Sequence, residues 1–176
     1  MQHALRSVVL VTTLALSFGV GATHPGRSLD TGMQHALLGH VASQHELSSA
    51  LAPVRNVGQF QAYLRDHRGP SSPFHAMSPA ALERFSRSLV FNENGLASYA
   101  YADLRRELSA SQIYAALRVF GAEASVSSIP GLKGRNRADK LVLEARWAVP
   151  SGHHDMYCAG LGSCAPRLDW VCTMNC

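Results

Sequence analysis

The residues of this sequence best equipped for chemistry are its four cysteines, Cys158, Cys164, Cys172 and Cys176, all within the last nineteen residues. A thiol can attack as a nucleophile, ligate a soft metal or pair with another thiol, and spacing helps to separate these uses. The pattern C-x5-C-x7-C-x3-C holds no C-x-x-C redox pair. Only Cys172 and Cys176 approach the short knuckle spacing of structural zinc sites, although His153-His154-Asp155 just upstream would add donors. Disulfides are therefore the expected chemistry, in any of three pairings. So short a segment cannot bury enough apolar surface to hold one conformation. Two disulfides would tie it to itself, each contributing about 2 to 3 kcal/mol.

That assignment depends on the compartment, which the amino terminus addresses. Arg6 makes a positive start, an apolar run extends from Val8 through Leu16 and Phe18, and Gly19-Val20-Gly21-Ala22 ends it with small side chains. Signal peptidase requires small residues next to the cut, so residues 1–22 read as a cleavable signal peptide with cleavage after Ala22. The run is shorter than the roughly 20 residues of a membrane-spanning helix. The expected location is secreted or periplasmic, with no membrane span after signal cleavage. In such an oxidising compartment disulfides outrank zinc. The whole-chain charge of +4 is too small to indicate nucleic acid.

Other catalytic patterns end quickly. His45-Glu46 begins like the zincin helix motif, but position 49 is serine, so the second ligand is missing. His35, His40 and His45 recur every five residues, which turns successive rings to different helix faces. Neither a G-x-S-x-G elbow nor a G-x-x-x-x-G-K phosphate cradle is present. Hence no catalytic residue, metal ligand or cofactor is assigned. Glu93, Asp103 and Glu107 are the carboxylates available to an unrecognised enzyme. Lys133, Arg135, Arg137 and Lys140 form a solvated loop, with a protease-sensitive linker or an anion-binding loop as alternatives. Tyr99 and Tyr101 would share a strand face, where they could stack on a ligand or pack in the core.

The elements that would carry these groups are mostly helical. Residues 23–30, rich in Pro, Gly and Ser, read as a flexible leader. Met33, Leu37 and Val41 recur on one stripe, and Leu47 and Leu51 repeat it after Ser43-x-x-Glu46, the form of a capping box; this predicts two short helices or one broken near Ser43. Asn56 caps a further helix that carries Phe60 and Leu64 and stops before Gly69-Pro70. Ser78-Pro79 opens another, with Met77 and Leu82 as a hydrophobic staple and Leu82, Phe85 and Leu89 on one face. Ser109 and Gln112 make a capping box for a helix over 110–120 that ends at Gly121. Asn94-Gly95 between two apolar runs predicts a hairpin, with a helical continuation over 97–108 as its rival. Alternation over 141–149 predicts a strand.

The fold class expected is mainly α: a small single helical domain over 31–149 with a short β-hairpin, followed by a disulfide-tied cysteine-rich tail over 150–176. Arg27-Ser28-Leu29-Asp30 resembles the Arg-x-Leu-Arg translocation motif of secreted oomycete effectors at three of four positions. Asp30 departs from its final arginine and nothing is carried over. The function expected is a non-enzymatic interaction protein whose partner is another protein. Tyr157 and Trp170 are the binding residues, with Met156 and Met174 as further anchors. The alternatives are an exported precursor that releases the tail as a small cysteine-rich peptide, and an exported enzyme.

Overall fold

A computed structural model describes residues 31–145 and 152–176. The predicted signal peptide, the leader and residues 146–151 lie outside the described residues, as do the side chains of Met33, Leu37 and Val41. In chain order the elements are α1 (Thr31–Ala50), α2 (Val57–Asp66), α3 (Pro79–Ser88), β1 (Val90–Asn92), β2 (Gly95–Ala100), α4 (Ala102–Glu107) and α5 (Ala110–Arg118). A 3-10 helix (Glu123–Ser128), α6 (Arg137–Glu144), β3 (Gly152–Gly160) and β4 (Ser163–Thr173) follow.

The four strands form one antiparallel sheet in the order β1-β2-β4-β3, so the fold is mixed α/β and the mainly α expectation is corrected. The difference comes from the carboxy-terminal segment. Its glycines, Pro166 and bend interrupt the two-residue alternation by which strands are recognised, yet residues 152–173 form two long strands. β4 lies between β3 and β2, with Ser98↔Cys172, Tyr99↔Val171 and Ala100↔Trp170 in register.

Local signals account for several helix starts. Asn56 Oδ1 accepts from Gln59 N at 2.9 Å, and Ser78 Oγ accepts from Ala81 N with Pro79 in the first helical position. Ser109 and Gln112 close a reciprocal capping box at α5. The hairpin is present, though its positive backbone angle falls on Gly95 (φ 115°) and not on Asn94. Asn92 Oδ1 instead accepts from Asn94 N at 2.9 Å and tightens the turn.

Two local expectations fail. Ser43 does not cap a helix: α1 runs unbroken and Ser43 Oγ donates back to Gly39 O at 3.0 Å. Residues 141–144 close α6 and are not a strand, because Asn136 accepts from Asp139 N at 2.8 Å and starts a helix there. Residues 146–149 of that predicted strand lie outside the described residues.

The core is aromatic. Phe60, Phe74, Phe85 and Phe120 meet with ring centroids 5.1 to 6.3 Å apart, mostly edge to face. Leu96, Tyr99, Leu104, Ile113, Leu117 and Val171 extend this cluster across the sheet. α1 joins it at one end: Gly121 adopts φ 64° where a Cβ would lie 2.7 Å from Ser49 Cα, so only glycine allows the approach. The carboxy terminus is fastened there too. Asn175 Oδ1 meets His45 Nε2 at 3.0 Å and Ser49 Oγ at 3.5 Å, while its carbonyl accepts from Asn92 Nδ2 at 2.6 Å.

Buried Asp139 joins α5 to α6. It accepts from Ser111 N at 2.9 Å, Ser111 Oγ at 2.7 Å and Arg135 N at 3.1 Å. Burial pushes its carboxyl up, but these donors outweigh burial and hold it at about 2.

Candidate functional site

The β3–β4 ribbon is sharply bent. The strands pair from Gly152↔Thr173 to His154↔Val171 and again from Met156↔Pro166 to Gly160↔Ser163. Between these stretches β3 uses the single residue Asp155 whereas β4 uses residues 167–170. Asp155 (φ 54°) and Asp169 (φ 62°) are the two non-glycine residues with left-handed backbone among the described residues. Aspartate tolerates that conformation better than most residues because its short side chain bonds locally.

Tertiary contacts over-determine the bend. Asp155 Oδ1 accepts from Tyr101 Oη at 2.7 Å and from Asp169 N at 2.9 Å, and Asp169 O accepts from Tyr101 N at 2.8 Å. Arg105 reaches Asp169 at 3.3 Å with its guanidinium 5.2 Å from the centroid of the Tyr101 ring. Burial, and then the hydrogen bond to Asp155, raise the Tyr101 phenol well above its ordinary value. The same bond holds the Asp155 carboxyl below its own.

The bend makes the disulfide pairing possible. Cys164 and Cys172 are eight residues apart in one strand, which an extended chain would separate by roughly 26 Å. Their Cα atoms are 6.1 Å apart, because the ribbon doubles back at Asp155 and Asp169. Cys158 pairs with Cys176 at a Cα separation of 5.5 Å, after the chain turns at the end of β4. No cysteine among the described residues is free. The sulfurs of Cys158, Cys172 and Cys176 lie within 4.8 Å of one another, so the two bonds sit side by side. Both expected disulfides are thus formed within the segment predicted to tie itself together, and the pairing left open by sequence is 158–176 and 164–172.

Around this bend lies a cationic aromatic cluster. Tyr157 and Trp170 meet edge to face at 6.4 Å, and the Arg167 guanidinium lies 3.8 Å from the Trp170 centroid and 5.5 Å from that of Tyr157. Both rings are half-buried, and Leu168 beside them is 81% exposed. The structure therefore brings the two residues singled out as binding residues, Tyr157 and Trp170, into contact. Met156 is half-buried and Met174 is exposed beyond the end of β4. Sequence reasoning does not single out Arg167, Leu168, Asp155 and Asp169 as members of the cluster. The exposed Leu168 between polar neighbours is the one signal that could have done so.

The other candidate groups take structural places. Tyr99 and Tyr101 are buried, with Tyr99 Oη 2.8 Å from Ser125 Oγ. Asp103 binds Arg84 at 2.8 Å and also pairs with Arg106; these partners hold its carboxyl low. Glu107 accepts from Ser78 N at 2.6 Å and Ser78 Oγ at 2.9 Å, whereas Glu93 is exposed at the hairpin turn. Hydrogen bonds and ion pairs thus hold Asp103 and Glu107 to α3 and its cap. Lys133 and Arg135 line a pocket of about 150 Å³ with Arg105 at the start of α5, where Asp139 already accepts from the Ser111 amide. Arg137 and Lys140 are exposed on α6.

Compared with protein-family models, curated proteins and solved structures, the chain matches none. Two disulfides accord with an oxidising, extracellular compartment, and no helix among the described residues is long and apolar enough to cross a membrane.

Proposed function

We propose that this is a secreted or periplasmic non-enzymatic interaction protein whose disulfide-locked ribbon presents Tyr157, Arg167, Leu168 and Trp170 to another protein. The supporting observation is the bend at Asp155 and Asp169. Two residues held in a costly backbone conformation by Tyr101 and Arg105 flank a segment that carries an exposed arginine and an exposed leucine beside a half-buried tryptophan. Trp, Tyr and Arg dominate binding hot spots because they bury large areas, and pre-ordering them reduces the entropy lost on association. Release of the tail as a free peptide would strip β4, and β3 with it, from β2 and expose buried Val171, Cys172 and Thr173. The intact chain is therefore the proposed binding form.

A photo-crosslinking amino acid placed at Leu168 in the native host tests this reading. A discrete adduct in the extracytoplasmic fraction should form from position 168, disappear with Trp170→Ala or Arg167→Ala, and be absent when the probe is moved to exposed Leu141. No adduct at 168, or one indifferent to those substitutions while circular dichroism remains native, would sink it.

A further inference from the structure

A second concave feature shares no residue with the ribbon cluster. A groove of about 810 Å³ runs between the end of α1, residues 70–76 and α5, within the size range of specific ligand sites. Leu47 and Leu51, 52% and 73% exposed, stand at its α1 side, and Pro53, Pro70 and Pro73 add rigid apolar surface. Tyr63 and Tyr114 contribute rings with polar ends. This lining would bury the apolar body of a ligand and still offer hydrogen bonds to its polar groups.

Glu123 adds specificity. Its half-buried side chain lines the same groove, and among the described residues its Oε2 has no hydrogen-bond partner. A carboxylate oxygen removed from water without a donor is unfavourable, and a cationic N–H group is the partner that offsets most of that cost. Arg118 and His75 also line the groove and would repel a polybasic stretch, so the fitting cation is a single basic side chain set against Glu123. A free small amine would leave most of the 810 Å³ unfilled.

We propose that this groove is a peptide-binding site for an extended segment carrying one basic side chain, Lys or Arg, among apolar residues, with Glu123 as the acceptor. The basic group pairs with the Glu123 carboxylate, and its apolar neighbours cover Leu47, Leu51 and the proline walls. The site goes beyond the ribbon's proposed role and requires neither Tyr157 nor Trp170.

The test uses the intact disulfide-bonded chain and fluorescent, terminally blocked hexapeptides of the form Ala-Leu-Pro-Arg-Leu-Ala, with varied apolar positions. Each is paired with a twin carrying citrulline for arginine. Saturable binding of an arginine peptide, at least about tenfold weaker for its twin, is expected. Glu123→Gln should erase that difference, Ala115→Trp should block the groove, and Trp170→Ala should leave binding unchanged. Glu123→Gln should also raise the melting temperature of the free protein, because it removes an unpartnered charge. The proposal is overturned if no peptide in the panel saturates, if agmatine competes as well as the peptide, or if Glu123→Gln preserves the arginine preference. It is equally overturned if Trp170→Ala abolishes binding, or if Glu123→Gln lowers the melting temperature.

Discussion

Around Phe60, Phe74, Phe85 and Phe120 the chain is held by burial: all four rings are at most 2% exposed and touch one another. The β3–β4 ribbon keeps Tyr157 and Trp170 half-buried and Leu168 open to solvent, and it is held by two covalent bonds and a hydrogen-bonded bend. The contrast follows from what each region can bury. Aromatic surface committed to a core contributes about 25 cal/mol per Å² and needs no crosslink. Aromatic surface left accessible contributes much less to folding, so its geometry must be maintained by other means. The two regions are nevertheless joined, because β4 completes the sheet over which the aromatic core packs.

Removing residues 152–176 tests that joint most severely. It strips β4 from β2 and takes Val171 out of the core, so the remaining chain should lose cooperative thermal unfolding by circular dichroism. A folded fragment would show instead that the helical layer stands alone. Within that layer, Phe60→Ala should cost about 3 to 5 kcal/mol in urea denaturation and leave both disulfides formed. Cys158→Ser with Cys176→Ser should cost about 3 kcal/mol by loop-closure entropy. Its sharper signature is faster amide exchange in residues 156–168 with little change in α5. Uniform acceleration would deny that the ribbon is separately held.

Two smaller effects belong to the helical layer. Asp139→Asn should cost about 2 kcal/mol at neutral pH, because buried donors from Ser111 and Arg135 lose a charged acceptor. The folded carboxyl sits at about 2, below its ordinary 3.8, so the unfolded chain takes up the proton first as pH falls. The stabilisation is present above 3.8 and fades towards 2, and the stabilities of the wild type and the Asp139→Asn variant should converge across that window. A constant difference would mean that the charge on Asp139 does not matter. Ser109→Ala should cost about 1 kcal/mol through loss of the α5 cap, measured as a shift in denaturation midpoint with ribbon exchange unchanged.

Legibility followed the range of the interactions. Caps at Asn56, Ser78 and Ser109 and the turn at Gly95 could be read because each involves residues a few positions apart. Ser43-x-x-Glu46 misled because a capping pattern within a helix has no exposed amides to satisfy, and Ser43 bonds backwards instead. Over residues 141–144 the predicted strand misled because alternation in a short segment does not outweigh the Asn136 cap and the Asp139 contacts. At the candidate site, Tyr157 and Trp170 were legible as aromatics in a cysteine-rich segment, whereas Arg167 and the bend were not. Asp155 and Asp169 acquire their conformation from Tyr101 and Arg105, more than fifty residues away.

Residue types and short-range spacing alone determined that the cysteines would pair within the last nineteen residues, and where α2, α3 and α5 would begin. Those outcomes depend on hydrogen bonds and chain closures within a few residues, which the linear order already contains. Only the tertiary structure decided that β4 would lie between β2 and β3, that Cys158 would choose Cys176, and that half-buried Glu123 would line a groove made by three separate segments with one oxygen lacking a donor among the described residues. Each of these rests on groups brought together across long loops, where neighbouring backbone, ring and charge settle what local pattern leaves open.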